Sequence, residues 1–188
     1  GHLLARGAAP DRMMAEILGR AGGYAGGRSG TLHLSVRELG VPATSALVGG
    51  SLPLAVGAAL ACKRRGSGVT AAFFGDAALE EGAFYEAMII AAVWKLPILF
   101  VCENNSIPPE QRKRGQYTSS TLPAARLADV PQSLQIATEV VDGADDDPEA
   151  DPLLGLEAAA DEALRFVWLV GVVAPRHREH RGPVPGAV

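Results

Sequence analysis

The chain has 188 residues, 48% of them hydrophobic and 20% charged, with a formal net charge of -4. That is enough apolar material for one globular α/β domain with a true core, here taken as 1–188. The acidic balance argues against nucleic acid or an anionic membrane surface as a partner. No signal peptide is evident, and no apolar stretch is long enough to span a bilayer. Cys62 and Cys102 read as small core residues of a reduced compartment, so a cytoplasmic protein is expected. The first residue is Gly1 rather than methionine, which suggests a piece of a longer chain.

In chain order, the opening GHLLARG is short, and His2 reads as a surface or packing histidine. Asp11 is expected to cap a helix whose stripe Met13, Met14, Ile17 and Leu18 faces the core. Gly19 to His33 is a glycine-dense segment carrying Arg20 and Arg28. Such a segment either lets backbone approach a phosphate or another subunit, or is a flexible linker. Ser45 to Arg65 reads as a short apolar strand, a glycine turn and a small-residue helix. Gly57, Ala58, Ala59 and Ala61 would let that helix approach a neighbour, and Lys63, Arg64 and Arg65 suit its C-terminal dipole.

The most informative stretch is VTAAFFGDAALEEGAFYEAMIIAAVWKLPILFVCENN, residues 69–105. Val69 to Phe74 is a strand closed by Gly75-Asp76. Glu80 to Lys95 keeps Phe84, Met88, Ala91 and Ala92 at helical spacing, Pro97 ends the helix, and Ile98 to Cys102 is a second strand. Two continuous apolar strands joined by such a helix form a right-handed parallel βαβ unit. Asp76 and Asn104-Asn105 then emerge at one carboxyl edge, where open α/β sheets take their ligands. A carboxylate, an amide oxygen and a nearby backbone carbonyl suit magnesium, and a helix N-terminus beside Asp76 would suit phosphates. The plainer reading is that Asp76 caps a helix and Asn104-Asn105 make a turn.

Beyond Asn105 the sequence loosens into a polar, basic, proline-bearing loop, in which Arg112, Lys113 and Arg114 read as a solvated face, before a short helix broken by Pro131. A second βαβ unit is expected: a strand over Thr138 to Val141, a helix over Leu153 to Phe166 and a strand over Phe166 to Val173. Asp145-Asp146-Asp147 reads as a solvated loop. His177 and His180 lie in a tail without further metal ligands.

On these residues the chain resembles the α subunit of thiamin-diphosphate-dependent 2-oxo acid dehydrogenases, the pyruvate and acetoin type. The resemblance rests on the Gly-Asp-Gly…Asn-Asn signature and on the wording GAFYEAMIIAAVWKLPILFVCENN. It implies a parallel-sheet thiamin-diphosphate-binding fold with helices on both faces. It further implies Mg²⁺ held by the side chains of Asp76 and Asn105 and the carbonyl of Ile107, with Gly75, Ala77 and Ala78 beside the diphosphate. Leu47, Val48 and Gly49 would meet the aminopyrimidine, and His180 would reach diphosphate and substrate as the catalytic residue. His33 is a further candidate in the glycine-dense loop. Ala77 departs from the signature glycine, a cost if that position needs a positive φ. The family implies a β subunit in an α₂β₂ heterotetramer that supplies the activating glutamate, a lipoyl-bearing acyltransferase as acceptor, and a small 2-oxo acid or acetoin as substrate. Alternatives are a non-catalytic remnant that keeps fold and interface, and the N-terminal half of a transketolase-like enzyme. A dinucleotide-binding domain is disfavoured, because no G-x-G-x-x-G follows a strand.

Overall fold

The computed structural model describes residues 1–104, 127–142 and 164–170. Four strands, β1 (Thr70–Gly75), β2 (Ile98–Asn104), β3 (Ala137–Asp142) and β4 (Leu164–Val170), form one sheet in the order β1-β2-β4-β3. Every pairing is parallel, so all four carboxyl ends lie at one edge. The helices are α1 (His2–Ala5), α2 (Pro10–Ile17), α3 (Ser51–Arg65), α4 (Gly82–Trp94) and α5 (Asp129–Ser133).

The expected βαβ unit is present. β1 and β2 pair with Thr70 opposite Ile98 and Gly75 opposite Glu103, joined through α4. Ala72 and Phe74 of β1 and Ile98, Phe100 and Cys102 of β2 share one face and are buried. Leu52, Val56 and Ala59 of α3 and Phe84, Ala87, Met88 and Ala91 of α4 complete that core. Phe74 lies between Phe84 and Phe100, with ring centroids 5.8 and 6.5 Å away, a separation at which tilted and edge-on aromatic pairs attract. The opposite face of β1 meets the N-terminal segment, where the His2 ring packs on Phe73 with centroids 4.4 Å apart. A smaller core of Leu3, Ala8, Leu34 and Val36 holds that segment together.

Several elements depart from the sequence expectation, each for a local reason. Asp11 does not cap α2: Ala9 precedes it without a side-chain cap and Pro10 opens the helix, its missing N–H costing nothing there. The expected apolar stripe of α2 is not core either. Met14, Ile17 and Leu18 are exposed, while Met13, half-buried, and Glu16, buried, share the inner face at a spacing of three. No strand forms before α3; the Ser45 hydroxyl accepts the Leu47 N–H at 3.1 Å, and this local bond turns the chain. Asp76–Glu80 is a 3₁₀ segment, so α4 begins only at Gly82 and does not directly follow Asp76 in the chain. α4 ends at Trp94 because Lys95 turns left-handed (φ 47°), ahead of Pro97. Residues 164–166, expected at the end of a helix, open β4, and 164 and 166 pair with Ile98 and Phe100 of β2. The remainder of that expected helix, and the strand beyond residue 170, lie outside the described residues. No helix among the described residues is long and apolar enough to cross a membrane.

Candidate functional site

The carboxyl edge of β1 and β2 is where the described part of the candidate site falls. Asp76 directly follows β1 and is 1% exposed. Continuing the parallel register by one residue past Gly75–Glu103 brings it level with Asn104. Gly75 is exposed, and a Cβ placed there would meet nothing within 4 Å, so among the described residues the edge above β1 is open. Behind Asp76 lies Cys102, whose thiol is pushed well above the ordinary range, first by burial and then by the negative charges of Asp76 and Glu103. Glu103 also meets His2, whose Nε2 lies 3.5 Å from its Oε1.

A second segment converges on the same edge. Gly49 takes a positive φ of 71°, and a Cβ there would come within 3.0 Å of the Glu81 Cβ and 3.9 Å of the Ala78 carbonyl oxygen. The turn over Leu47, Val48 and Gly49 is thereby packed against the segment that follows Asp76. Leu47 and Val48 themselves are largely exposed, at 72% and 56%. Their apolar side chains sit at the open edge rather than in the core. Close packing at Gly50, where a Cβ would stand 2.9 Å from the Leu47 Cβ, fixes the turn's shape.

Ala77, the departure from the signature, lies in the 3₁₀ segment and is not among the residues of positive φ. The backbone at this position asks nothing that alanine cannot adopt. Ala78 is buried beside it. Asn105, Ile107 and His180 lie outside the described residues. His33 is exposed and lies in a different loop. Among the described residues this edge offers one buried carboxylate, Asp76, a hard oxygen donor of the kind magnesium takes, and the other two expected ligands, Asn105 and Ile107, lie outside them.

A second buried acid was not foreseen. Glu16 of α2 is fully buried beneath the glycine-dense segment. Its Oε2 accepts the N–H groups of Ala25 (2.8 Å) and Gly27 (2.9 Å), and its Oε1 accepts the N–H (2.7 Å) and hydroxyl (2.8 Å) of Ser29. Burial pushes this carboxyl up, but the bonds from Ser29, Gly27 and Ala25 outweigh it and hold the pKa at about 2. The sequence signal was available: a glutamate three residues after Met13, on a helix running directly into a glycine-rich loop.

Fold and edge together define a parallel α/β protein, and the carboxyl ends of the strands are where open sheets of this kind take ligands. Residues 1–150 match the family model described as the dehydrogenase E1 component, and the chain belongs to that family. It is similar to the alpha subunit of acetoin:2,6-dichlorophenolindophenol oxidoreductase of Bacillus subtilis (strain 168), with 36% identity over 87% of this chain and 46% of that protein. It is likewise similar to the pyruvate dehydrogenase E1 component subunit alpha of Rhizobium meliloti (strain 1021), at 35% identity over 87% of this chain and 44% of that one. The corresponding subunit of Zymomonas mobilis is 44% identical over 56% of this chain and 30% of its own length. The chain thus spans less than half the length of these relatives.

Proposed function

We propose that this chain is the α-type subunit of a thiamin-diphosphate-dependent 2-oxo acid or acetoin dehydrogenase, acting with a β subunit and passing its acyl group to a lipoyl acceptor. The relatives' names as alpha subunits of acetoin and pyruvate enzymes support that choice. One observation carries it: in a chain of this family, a buried Asp76 sits at the open carboxyl edge, with the Gly49 turn packed against the segment beside it. In this reading Asp76, Asn105 and the carbonyl of Ile107 hold Mg²⁺, and the metal holds the diphosphate. Gly75, Ala77 and Ala78 line the diphosphate, Leu47, Val48 and Gly49 orient the aminopyrimidine, and His180 serves diphosphate and substrate. The bound cofactor supplies an electron sink for a 2-oxo acid that loses carbon dioxide. The protein's own task is electrostatic: a buried carboxylate, poorly solvated by water, gains more from a cation than an exposed one does. The compartment proposed is the cytoplasm.

The ordinary backbone at Ala77 removes the conformational objection that its departure from glycine raises. Calorimetric titration of thiamin diphosphate, with and without Mg²⁺, into the wild type and Asp76→Ala tests the proposal, alone and with a β subunit of an acetoin- or pyruvate-type enzyme. Binding that requires both the metal and Asp76 is expected. Binding indifferent to Asp76→Ala, or none even with the β subunit, would overturn it.

A further inference from the structure

Among the described residues two acidic side chains are buried, Asp76 and Glu16, and the proposed function uses only the first. We propose that Glu16 is a positioning residue, the built-in anion of the glycine-rich loop. Its carboxylate fixes the loop's backbone and occupies the amides that a ligand phosphate would need. The bonding pattern argues for this directly. Ala25, Gly27 and Ser29, at alternate positions, turn their N–H groups inward onto one carboxylate, and the Ser29 hydroxyl adds a fourth bond. Backbone N–H groups converging on one point are how loops hold phosphate oxygens; here the protein's own carboxylate is the acceptor.

The glycines agree. A Cβ at Gly23 would lie 2.3 Å from the Glu16 Oε2, and one at Gly27 would lie 2.4 Å from the Gly19 carbonyl carbon. Gly27 also has a φ of +74°. These two positions are glycine because the chain wraps closely on Glu16 and on itself, with no ligand required to explain them. A carboxylate with four charge-assisted bonds is satisfied where it is, so a phosphate could enter only by expelling it into worse surroundings. Arg20 and Arg28, by contrast, are exposed. The loop therefore offers arginine side chains to whatever approaches it, while the amides of Ala25, Gly27 and Ser29 are already taken.

Amide hydrogen exchange and chemical-shift mapping by NMR on the full chain test it, with no cofactor present. In Glu16→Gln the amides of Ala25, Gly27 and Ser29 should exchange about tenfold faster or more, while Phe74, Phe100 and Val101 keep their protection. In Glu16→Ala, added acetate should restore protection at the same three amides, which a mere packing role would not produce. Inorganic phosphate should leave their wild-type shifts unmoved. Unchanged exchange in Glu16→Gln, no rescue by acetate, or phosphate-induced shifts at these amides in the wild type would each overturn the proposal. Should the Glu16 variants fail to fold, Ser29→Ala removes only the hydroxyl bond. It should still speed exchange at the Ser29 amide, and no change there would count against the proposal.

Discussion

At the scale of single residues, the same burial has opposite consequences for two side chains. Cys102 has no exposed surface, and burial, then Asp76, then Glu103 push its thiol up, so the reactive thiolate is suppressed twice over. In the native protein iodoacetamide should leave Cys102 unmodified near neutral pH and label it only on unfolding. Peptide mass mapping checks this, and native labelling at the unfolded rate would refute the burial described. Asp76, equally buried, stands at the carboxyl edge of the sheet, where the proposed function has it hold a cation. Ala77 beside it has an ordinary backbone, so Ala77→Gly should relieve no strain. Under the proposed function, cofactor affinity in that variant should stay within about twofold, with a stability loss of about 0.5–1 kcal/mol for the added backbone freedom. A tenfold tightening in the calorimeter would instead mean that the alanine methyl obstructs the diphosphate.

At the scale of elements, α3 and α4 end by the same device with different residues. α3 closes with the N–H of Ser67 on the Cys62 carbonyl and the N–H of Gly66 on the Lys63 carbonyl, Gly66 being left-handed at φ 68°. α4 closes with the N–H of Leu96 on the Ala91 carbonyl and the N–H of Lys95 on the Ala92 carbonyl, and there the left-handed residue is Lys95. Both are the glycine-type helix stop, but lysine pays a steric penalty that glycine avoids. Lys95→Gly should therefore stabilise the chain by about 1 kcal/mol, read as a higher urea midpoint at unchanged slope. A lower midpoint would mean that the lysine side chain makes a compensating contact. The Lys63 ammonium, which reaches from α3 to the Trp94 carbonyl, already supports the same helix end. The two helices thus brace each other where the chain turns back into β2. This stop was not legible in advance, since Pro97 gave a sufficient reason for the helix to end and local sequence does not single out a left-handed lysine.

At the scale of the whole molecule, the βαβ frame and the place of Asp76 could be read from sequence because continuous apolar strands and a helical period are local patterns. The strand order could not, since β4 enters between β2 and β3 through pairings distant in sequence. Asn105, Ile107 and His180 fall outside the described residues, so that half of the site stands as read from the family resemblance. Glu16 escaped for a related reason: apolar spacing turned α2 towards Met14, Ile17 and Leu18, whereas polar bonding to a loop 9–13 residues further on turned it the other way. That choice should be visible in acid. The Glu16 carboxyl titrates at about 2 in the folded chain against an ordinary 4.5. A lowered folded pKa means that the unfolded chain binds the proton first, so this contribution to stability is complete above about 4.5. It drains away as the pH falls from there through about 2. Glu16→Gln cannot titrate, and every other carboxylate is common to both proteins. The stability gap between wild type and Glu16→Gln, from urea unfolding at a series of pH values, should therefore be widest at and above pH 5 and narrow steadily across that window. A gap constant with pH would show that Glu16 is held by its shape alone and that its charge does not order the loop.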